Sequence, residues 1–290
     1  MTKNEKQALK TIGLTLFFLM TATTLLFAAV QEKMISKTFT PDRSRPLLVK
    51  VRGDGAEVHL SAVERGREGR ARYRYNEDHF SGTMEWDAEQ NRFETVLDMD
   101  GIDFNNDDDS SDSELGVMLP GGVPIDLDFS LKAGVLDLDA EGLEFNGLEL
   151  YLWAGELTAS FPTPSRRVIR RANIDVKMGE TRLENLGNLA IEILDVNGFA
   201  GACYIDLTGS VEMERQVRVD MEMGEIKVIV PKGAAVEARI SKLGFLADVD
   251  LPRGWEKDGR YAYSPGAQRG GADIRLDIRG GIGQITIEEK

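Results

Sequence analysis

Residues 217–230 read VRVDMEMGEIKVIV, and this stretch decides the fold. Apolar side chains alternate with charged ones on both sides of Gly224, which is typical of strands that bury one face. The apolar positions advance in steps of two as far as Met223 and then jump by three to Ile226. Because successive side chains on a strand point to opposite faces, an odd jump requires a bulge or a tight bend. Glycine tolerates that geometry, so we predict a kink at Gly224.

The same unit recurs between residues 123 and 287, each time around a glycine. The repeat glycines are Gly134, Gly155, Gly179, Gly201, Gly224 and Gly283. The first five follow one another at intervals of 21 to 24 residues, and such a period is typical of solenoids. Two short strands joined by a kink cannot bury their apolar face alone, whereas stacked units can. We therefore predict an all-β, stacked-repeat, β-solenoid-like domain over residues 123–290, with an inserted hairpin at 255–264.

Two further segments precede the repeats. Residues 47–99 alternate between apolar and polar side chains, with Gly, Asn and Asp between the runs. This pattern predicts a small N-terminal β unit of antiparallel strands and hairpins, preceded by a spacer at 31–46. Residues 98–116 read DMDGIDFNNDDDSSDSELG, with too few apolar side chains to offset the entropy of ordering them. We predict an acidic, flexible linker over residues 100–122.

A short basic tail, residues 1–10, precedes an apolar stretch. Residues 11–30 read TIGLTLFFLMTATTLLFAAV and contain no charged side chain. About 20 apolar residues in a helix cross the ~30 Å hydrocarbon core of a bilayer, so this segment is a predicted transmembrane anchor. A cleaved signal peptide is the alternative, although Leu26 and Phe27 stand where cleavage needs small residues. Because long domains are translocated despite flanking charge, we expect a single-pass cell-membrane protein with its bulk outside the cytoplasm.

The charge and the reactive residues limit the possible functions. The net charge of −14 and the pI near 4.8 argue against a nucleic-acid partner, which needs a basic surface. The densest basic stretch contains Arg65, Arg67, Arg70, Arg72 and Arg74, spaced as on the wet face of a strand. The chain has one cysteine and two histidines, which excludes an internal disulfide and a Cys/His metal cluster.

The candidate reactive side chains favour no catalytic site. Cys203 occupies an inward offset of its repeat, so we predict a buried and inert thiol. His59 and His79 are predicted on the surface. The carboxylates Glu156, Glu180 and Glu225 share the position after the repeat glycine and could form an outward ladder. Solvation of that ladder is the expected role, and an acid pair of a carbohydrate-active β-helix is the alternative. We expect no enzymatic activity and no cofactor.

The acidic linker offers a weak calcium hypothesis. Oxygen-bearing side chains alternate at Asp98, Asp100, Asp103, Asn105, Asp107 and Asp109. Calcium takes six to eight oxygen ligands, but the spacing of an EF-hand loop is not met. A solvated linker without metal is the alternative.

Six stretches in this order resemble a known family. They are VKVRGDGAEVHL at 49–60, ARYRYNEDHFSGTMEWDAEQNRFE at 71–94, PIDLDFSLKAGVLDLDAEGL at 124–143, VRVDMEMGEIKVIVPKGAAVEARI at 217–240, DGRYAYSPG at 258–266 and DIRLDIRGGIGQITIEE at 273–289. Together they resemble the β domain of LiaF-like cell-wall-active-antibiotic response proteins, also called toastrack or adhesin-like domains. This chain departs from the LiaF-like pattern in having one apolar segment rather than several, and in its acidic linker.

The resemblance implies an all-β stack attached to membrane segments that senses or responds to envelope stress through protein contacts. It implies no catalytic residues. We expect a membrane-anchored, non-enzymatic, extracytoplasmic module whose partners are envelope or membrane signalling proteins. Self-association through the exposed ends of the stack is a further expectation. The alternatives are a structural or adhesive surface protein and a carbohydrate-active β-helix.

Overall fold

The computed structural model describes residues 32–63, 66–99, 113–243 and 246–290. The predicted anchor at 11–30 lies outside these residues. Lys33–Lys290 form one compact unit, and of the other unit, Met1–Glu32, only Glu32 is described. Among the described residues, no helix has the length and apolar character needed to span a membrane.

The all-β prediction is confirmed for the described residues, which form a 16-stranded sheet. One short 3-10 turn, Leu186–Asn188, interrupts the strands. The strands are β1 (Glu32–Phe39), β2 (Leu47–Ala62), β3 (Gly69–Asn76), β4 (Phe80–Asp87), β5 (Arg92–Met99), β6 (Ser113–Leu119), β7 (Pro124–Asp139), β8 (Glu144–Ser160), β9 (Ser165–Glu184), β10 (Leu189–Asp206), β11 (Arg215–Val230), β12 (Val236–Lys242), β13 (Ala247–Asp250), β14 (Glu256–Asp258), β15 (Tyr261–Tyr263) and β16 (Ile274–Glu289).

Seven long strands pair in parallel in the order β2, β7, β8, β9, β10, β11 and β16. Only residues 140–143 connect β7 to β8, yet the two strands start side by side, with Pro124 paired to Glu144. A straight strand of this length would extend about 50 Å, whereas the connection reaches at most about 18 Å. Each long strand must therefore fold back on itself. We call each bent strand a rung, with a first half before the bend and a second half after it.

The bend lies at the repeat glycines, whose φ values are between 129° and 142°. The glycines stack in register, so that Gly155 pairs with Gly134 on one side and Gly179 on the other. A Cβ atom on Gly155 would lie 1.8 Å from the carbonyl oxygen of Gly134, so no side chain fits there. Paired residues on neighbouring strands differ by the same number before and after the glycine, so no strand contains an extra, bulged residue. The three-residue step between buried positions is instead explained by a bend that all rungs share. We call this row of glycines the corner.

The core lies between the two halves of the rungs. On β8, for example, Leu148, Leu150 and Leu152 are buried in the first half, and Leu157 and Ala159 are buried in the second. These side chains belong to one continuous apolar cluster that includes every rung.

The position directly before the glycine differs from the prediction. Met223 and Ile282 were expected to face inward, but 41% and 47% of their surfaces are exposed. The bend turns this position to the outside of the corner, so the apolar alternation of the sequence breaks there.

Residues 47–99 also differ from the predicted antiparallel unit. β2 is the first full rung and pairs in parallel with β7, with Ala56 in the row of corner glycines. Within residues 47–99, β4 and β5 do form an antiparallel hairpin as predicted, and β3 pairs antiparallel with β6. Ser113–Leu119, predicted as part of the flexible linker, is a strand that buries Leu115, Val117 and Leu119. The acidic residues just before it conceal its alternation in the sequence. Residues 100–112 of the predicted linker lie outside the described residues.

Both end rungs are divided at the corner. At the N-terminal end, β5 pairs with the first half of β2 and β6 pairs with its second half. At the C-terminal end, β12 and β13 pair in the same way with the two halves of β16. The hairpin predicted at 255–264 is formed by β14 and β15, and β15 lies beside β12. The C-terminal strand β16 is inserted between β11 and β12, so the stack does not follow chain order.

Candidate functional site

Large apolar side chains line the outside of the corner. They are Trp153, Met178, Phe199, Met223 and Ile282, each between 41% and 50% exposed. All five occupy the first or second position before a repeat glycine, on consecutive rungs from β8 to β16. Because these positions lie on the outer side of the bend, the side chains have no interior to enter. We call these five residues the corner ridge.

The apolar surface continues at the divided rung of the C-terminal end. Leu243 and Leu246 are 58% and 40% exposed, and the Leu246 carbonyl oxygen accepts a hydrogen bond of 3.0 Å from the Gly283 N–H. Seven of the ten exposed large apolar side chains of the described residues therefore lie along this one corner. Neighbouring strands are about 4.8 Å apart, so the five-rung ridge is about 19 Å long. Scattered apolar residues are ordinary on a surface, whereas an aligned patch indicates a contact surface.

Acidic side chains border the ridge on the side of the second halves. Glu156, Glu180 and Glu225 are exposed directly after their glycines. Glu156 and Glu180 pair across β8 and β9, but Ala202 lies between Glu180 and Glu225. The outward ladder predicted from the sequence is thus interrupted at β10, and only its first two members, Glu156 and Glu180, are directly opposite each other.

The outer face of the first halves carries paired charges. Asp195 accepts contacts from Arg171 at 2.6 Å and from Arg218 at 3.2 Å. Arg279 lies 3.6 Å from Asp220. Both side chains of the Arg279–Asp220 pair are exposed, and an exposed pair contributes about 0–1 kcal/mol. The basic side chains Arg70, Arg72 and Arg74 are also exposed on β3, and Arg74 contacts Glu114 at 2.7 Å. Arg65 lies outside the described residues.

The candidate reactive groups are not brought together. Cys203 is buried in the second half of β10, and burial raises the pKa of its thiol to about 12. Its neighbours in the ladder are Thr181 and Ile226. His59 is half-exposed and 3.1 Å from the Glu57 carboxylate, and His79 is exposed in the turn before β4. Neither strand neighbour of the thiol is a base that could activate it.

The calcium hypothesis stays a prediction. Asp98 is exposed on β5, opposite Ser81 of β4. The other candidate ligands, at positions 100, 103, 105, 107 and 109, lie outside the described residues. Within the described ranges, no group of three or more histidine, cysteine or acidic side chains could hold a metal ion.

An open surface cavity of about 770 Å³ lies on the second halves near the C-terminus. Two pairs lie within its lining, since Lys227 contacts Glu288 at 2.9 Å and Gln284 donates to Asp250 at 3.0 Å. The Trp255 indole N–H donates to Glu289 at 2.7 Å. These contacts pair part of the polar lining, which also includes Glu225, Lys232 and Arg253.

The fold and the corner ridge define an all-β, solenoid-like protein with one apolar edge. No protein-family model and no curated protein sequence matches the chain. Among solved structures, it is similar to a proposed cell adhesion protein from Clostridium sporogenes, with 16% identity and a TM-score of 0.46 over 90% of this chain and 100% of the other.

Two proposed adhesins are also similar. The protein from Bacteroides fragilis has 11% identity and a TM-score of 0.38 over 88% of this chain and 97% of its own. The protein from Parabacteroides distasonis has 10% identity and a TM-score of 0.35 over 90% of this chain and 98% of its own. Likenesses at this level assign no role to this chain, and the resemblance to LiaF-like proteins in particular stays a prediction.

Proposed function

We propose that this chain is a non-enzymatic interaction module of a bacterial cell envelope, anchored in the membrane by residues 11–30 with its β stack outside the cytoplasm. The observation that carries the proposal is the alignment of exposed apolar side chains along the corner. Exposure of such a row of apolar side chains to water is unfavourable in free energy, and contact with a partner would remove these side chains from water. The rest of the surface carries paired charges of both signs, which favour solubility.

Two biological roles fit such a module. The first is the sensing of, or the response to, envelope stress, in which the stack transmits contact to envelope or signalling proteins. The second is a structural or adhesive role at the cell surface. The continuous, in-register ladder of seven rungs supports the second role, because it supplies an extended scaffold with few loops.

Substitution of the ridge tests the proposal in a deletion strain complemented with the full chain. Met178→Gln, Phe199→Gln and Met223→Gln together remove apolar contact without touching the buried core. We expect this variant to leave the deletion phenotype uncorrected, because the contact surface is lost. The matched control is Asn173→Gln, Thr158→Gln and Thr286→Gln, which changes as many positions on the polar faces and should restore the phenotype.

Two readouts separate the roles. Altered expression of stress genes favours the sensing role, whereas altered adhesion or envelope integrity without that change favours the structural role. Equal complementation by both variants would show that the corner ridge is not the contact surface.

A further inference from the structure

We infer that the outer face of β3 carries a binding site for a phosphate group, formed by Arg70 and Arg72 together with Ser36 and Thr38 of β1. The site uses none of the residues of the corner ridge. It goes beyond the proposed function, because it depends on neither the membrane anchor nor the apolar contact surface.

Arg70 and Arg72 lack the carboxylate partner that the next arginine of β3 has. The three arginines of the strand are exposed at alternate positions, and the residues between them are buried, so all three point outward. Arg74 is opposite Glu114 of β6, and the two side chains are in contact at 2.7 Å. Among the described residues, no carboxylate lies within ion-pair distance of Arg70 or Arg72. These two arginines are therefore an exception to the paired charges of the outer faces.

One edge of β3 faces β6, which offers these arginines no acid. Opposite Arg70 and Arg72, β6 places Met118 and Gly116. The thioether of methionine is a weak acceptor and glycine has no side chain. The two guanidinium groups therefore keep donors that no side chain of β6 satisfies.

The other edge of β3 faces β1, to which it is hydrogen-bonded. Phe39 of β1 packs over Gly69, where an added Cβ would meet its ring. Lys33, at the start of β1, lies over the ring of Tyr75, at 6.0 Å from its centre. Gly69 begins β3 and Tyr75 lies near its end, so β1 runs antiparallel to β3. Both contacts fit a single register.

This register brings hydroxyl groups to the arginines. It places Thr38 opposite Arg70 and Ser36 opposite Arg72. Both hydroxyl side chains are exposed, whereas Phe39 is buried, so they point to the outer face together with the arginines. Directly opposite residues on antiparallel strands have Cβ atoms about 5 Å apart. Two guanidinium groups and two hydroxyls thus form one cluster of hydrogen-bond donors.

Gly116 leaves the surface open beside Arg72. A Cβ added to Gly116 would have no heavy atom within 4 Å. Beyond it, β2 carries His59, which lies 3.1 Å from Glu57 and 3.6 Å from Asp137. Acidic side chains therefore begin on the far side of Gly116, and the cluster of donors is confined to β1 and β3.

The donors favour a tetrahedral oxyanion. Guanidinium groups bind phosphate through paired N–H donors, and serine and threonine hydroxyls donate as well. Successive outward positions on a strand are about 7 Å apart, so two long arginine side chains can reach one small anion. A phosphate group offers three oxygens in different directions, whereas a carboxylate offers two in one plane. Donors that come from two strands therefore suit phosphate better.

The charge of the chain limits the size of the ligand. The net charge is −14, and a long polyanion would extend past Gly116 onto Glu57 and Asp137. A single phosphate group contacts only the donors of β1 and β3. Soluble phosphate esters and lipid headgroups both present such a group, so the test includes both sources.

Titration with inorganic phosphate tests the site, with the full chain in non-ionic detergent and the phosphorus NMR line width of the anion as the readout. We expect binding to broaden the line. Arg70→Gln and Arg72→Gln together should weaken the affinity about tenfold or more, because hydrogen bonds to charged groups are lost. Both side chains are exposed, so the fold should be unchanged.

The matched control removes the same charge from another rung. Arg275→Gln and Arg279→Gln change two exposed arginines of β16 that already contact Glu214 and Asp220. This variant should bind phosphate as the unchanged chain does. Equal weakening in both double variants would show that net charge, rather than a site on β3, attracts the anion, and would overturn the inference.

A change on β1 tests the register. Ser36→Asp places a carboxylate opposite Arg72, as Glu114 stands opposite Arg74, and should abolish the broadening. Ser36→Asn has no charge and should retain most of the affinity. Equal affinities for these two variants, or no broadening by the unchanged chain, would contradict the site.

Two further arms identify the source of the phosphate. Displacement of inorganic phosphate by glycerol phosphate supports a soluble ester as the ligand. Alternatively, the full chain is reconstituted in phosphatidylcholine vesicles with or without phosphatidylglycerol. Loss of the broadening only in the vesicles that contain phosphatidylglycerol supports a lipid headgroup as the ligand. These readouts do not involve the corner ridge, so a failure of this site is distinguishable from a failure of the proposed function.

Discussion

The interior rungs and the end rungs follow the same path, but only the interior rungs cross the corner without a break. From β7 to β11 and in β16, each strand passes through a glycine with positive φ. The end rungs are divided there, into β5 and β6 at one end and β12 and β13 at the other. The difference shows that the neighbouring rung imposes the glycine. At each of these glycines an added Cβ would lie between 1.8 and 2.0 Å from a carbonyl oxygen of the preceding rung in the stack, whereas the end rungs are divided at this point.

The first full rung supports this reading. Ala56 occupies the glycine row of β2, and it does not have a positive φ. The next residue in the row, Gly134, would place a Cβ 2.0 Å from the carbonyl oxygen of Ala56. Each glycine is thus restricted by the rung that precedes it in the stack, and the restriction begins at β7.

The largest effect is expected from a side chain at an interior corner. Gly179→Ala places a Cβ 1.8 Å from the carbonyl oxygen of Gly155 and holds a non-glycine residue at a φ of 135°. Backbone strain and steric overlap should together lower the free energy of unfolding by about 3 kcal/mol or more. Denaturant titration of the full chain measures the change.

Two controls separate the causes of that loss. Ala56→Gly, the change at the end of the row, should cost about 1 kcal/mol or less. Gly233→Ala lies in a loop with a φ of 83° and open space around the added Cβ, so it reports the backbone strain alone. A loss for Gly179→Ala no greater than that for Gly233→Ala would show that the neighbouring rung is not the restriction.

A smaller effect is expected from the interior thiol at high pH. Burial raises the pKa of Cys203 to about 12, above its ordinary value. The folded state therefore keeps a proton that the unfolded state releases, so this contribution to stability is complete below the unfolded pKa and is lost as the pH rises toward the folded pKa. Between pH 8 and pH 10, the chain should lose about 2 kcal/mol more than Cys203→Ala loses, as measured by urea unfolding at both pH values.

An end rung provides the comparison for the thiol. Val249 is only partly buried on β13. Val249→Cys in a Cys203→Ala background should show a weaker dependence on pH, because its thiolate can be solvated. If the free energy of unfolding depended on pH equally for Cys203 and for Val249→Cys, the interior rung would not be more deeply buried than the end rung.

The smallest effect is expected from the acidic border. Glu156 and Glu180 are directly opposite on neighbouring strands, and like charges in this position are destabilising. Glu180→Gln should raise the free energy of unfolding by about 0.5 kcal/mol at low ionic strength, and salt should reduce this gain. Glu225→Gln is the matched control, since Ala202 and Gln284 flank Glu225. An equal gain in both variants would mean that net charge, rather than the pair, is responsible.

The repeat could be predicted from the sequence because its pattern lies within a short stretch of chain. Alternating apolar residues such as Val217 and Val219, and a glycine at a fixed offset, belong to one stretch of chain. The exposure of Met223 could not be predicted from the sequence, since it depends on the direction in which the bend turns the residue before Gly224. The candidate surface was therefore missed, although the recurrence of large apolar residues next to the repeat glycines is a signal that could have indicated it.

The sequence by itself determined that the chain alternates, that it kinks at six glycines and that its apolar side chains need stacked neighbours. Only the tertiary structure decided that the rungs pair in parallel, that β2 is one of them and that β16 enters between β11 and β12. The physical reason is that alternation and glycine act within a few residues along one strand. The choice of neighbouring strand depends on contacts between distant residues, and many orders of rungs would bury the same apolar faces.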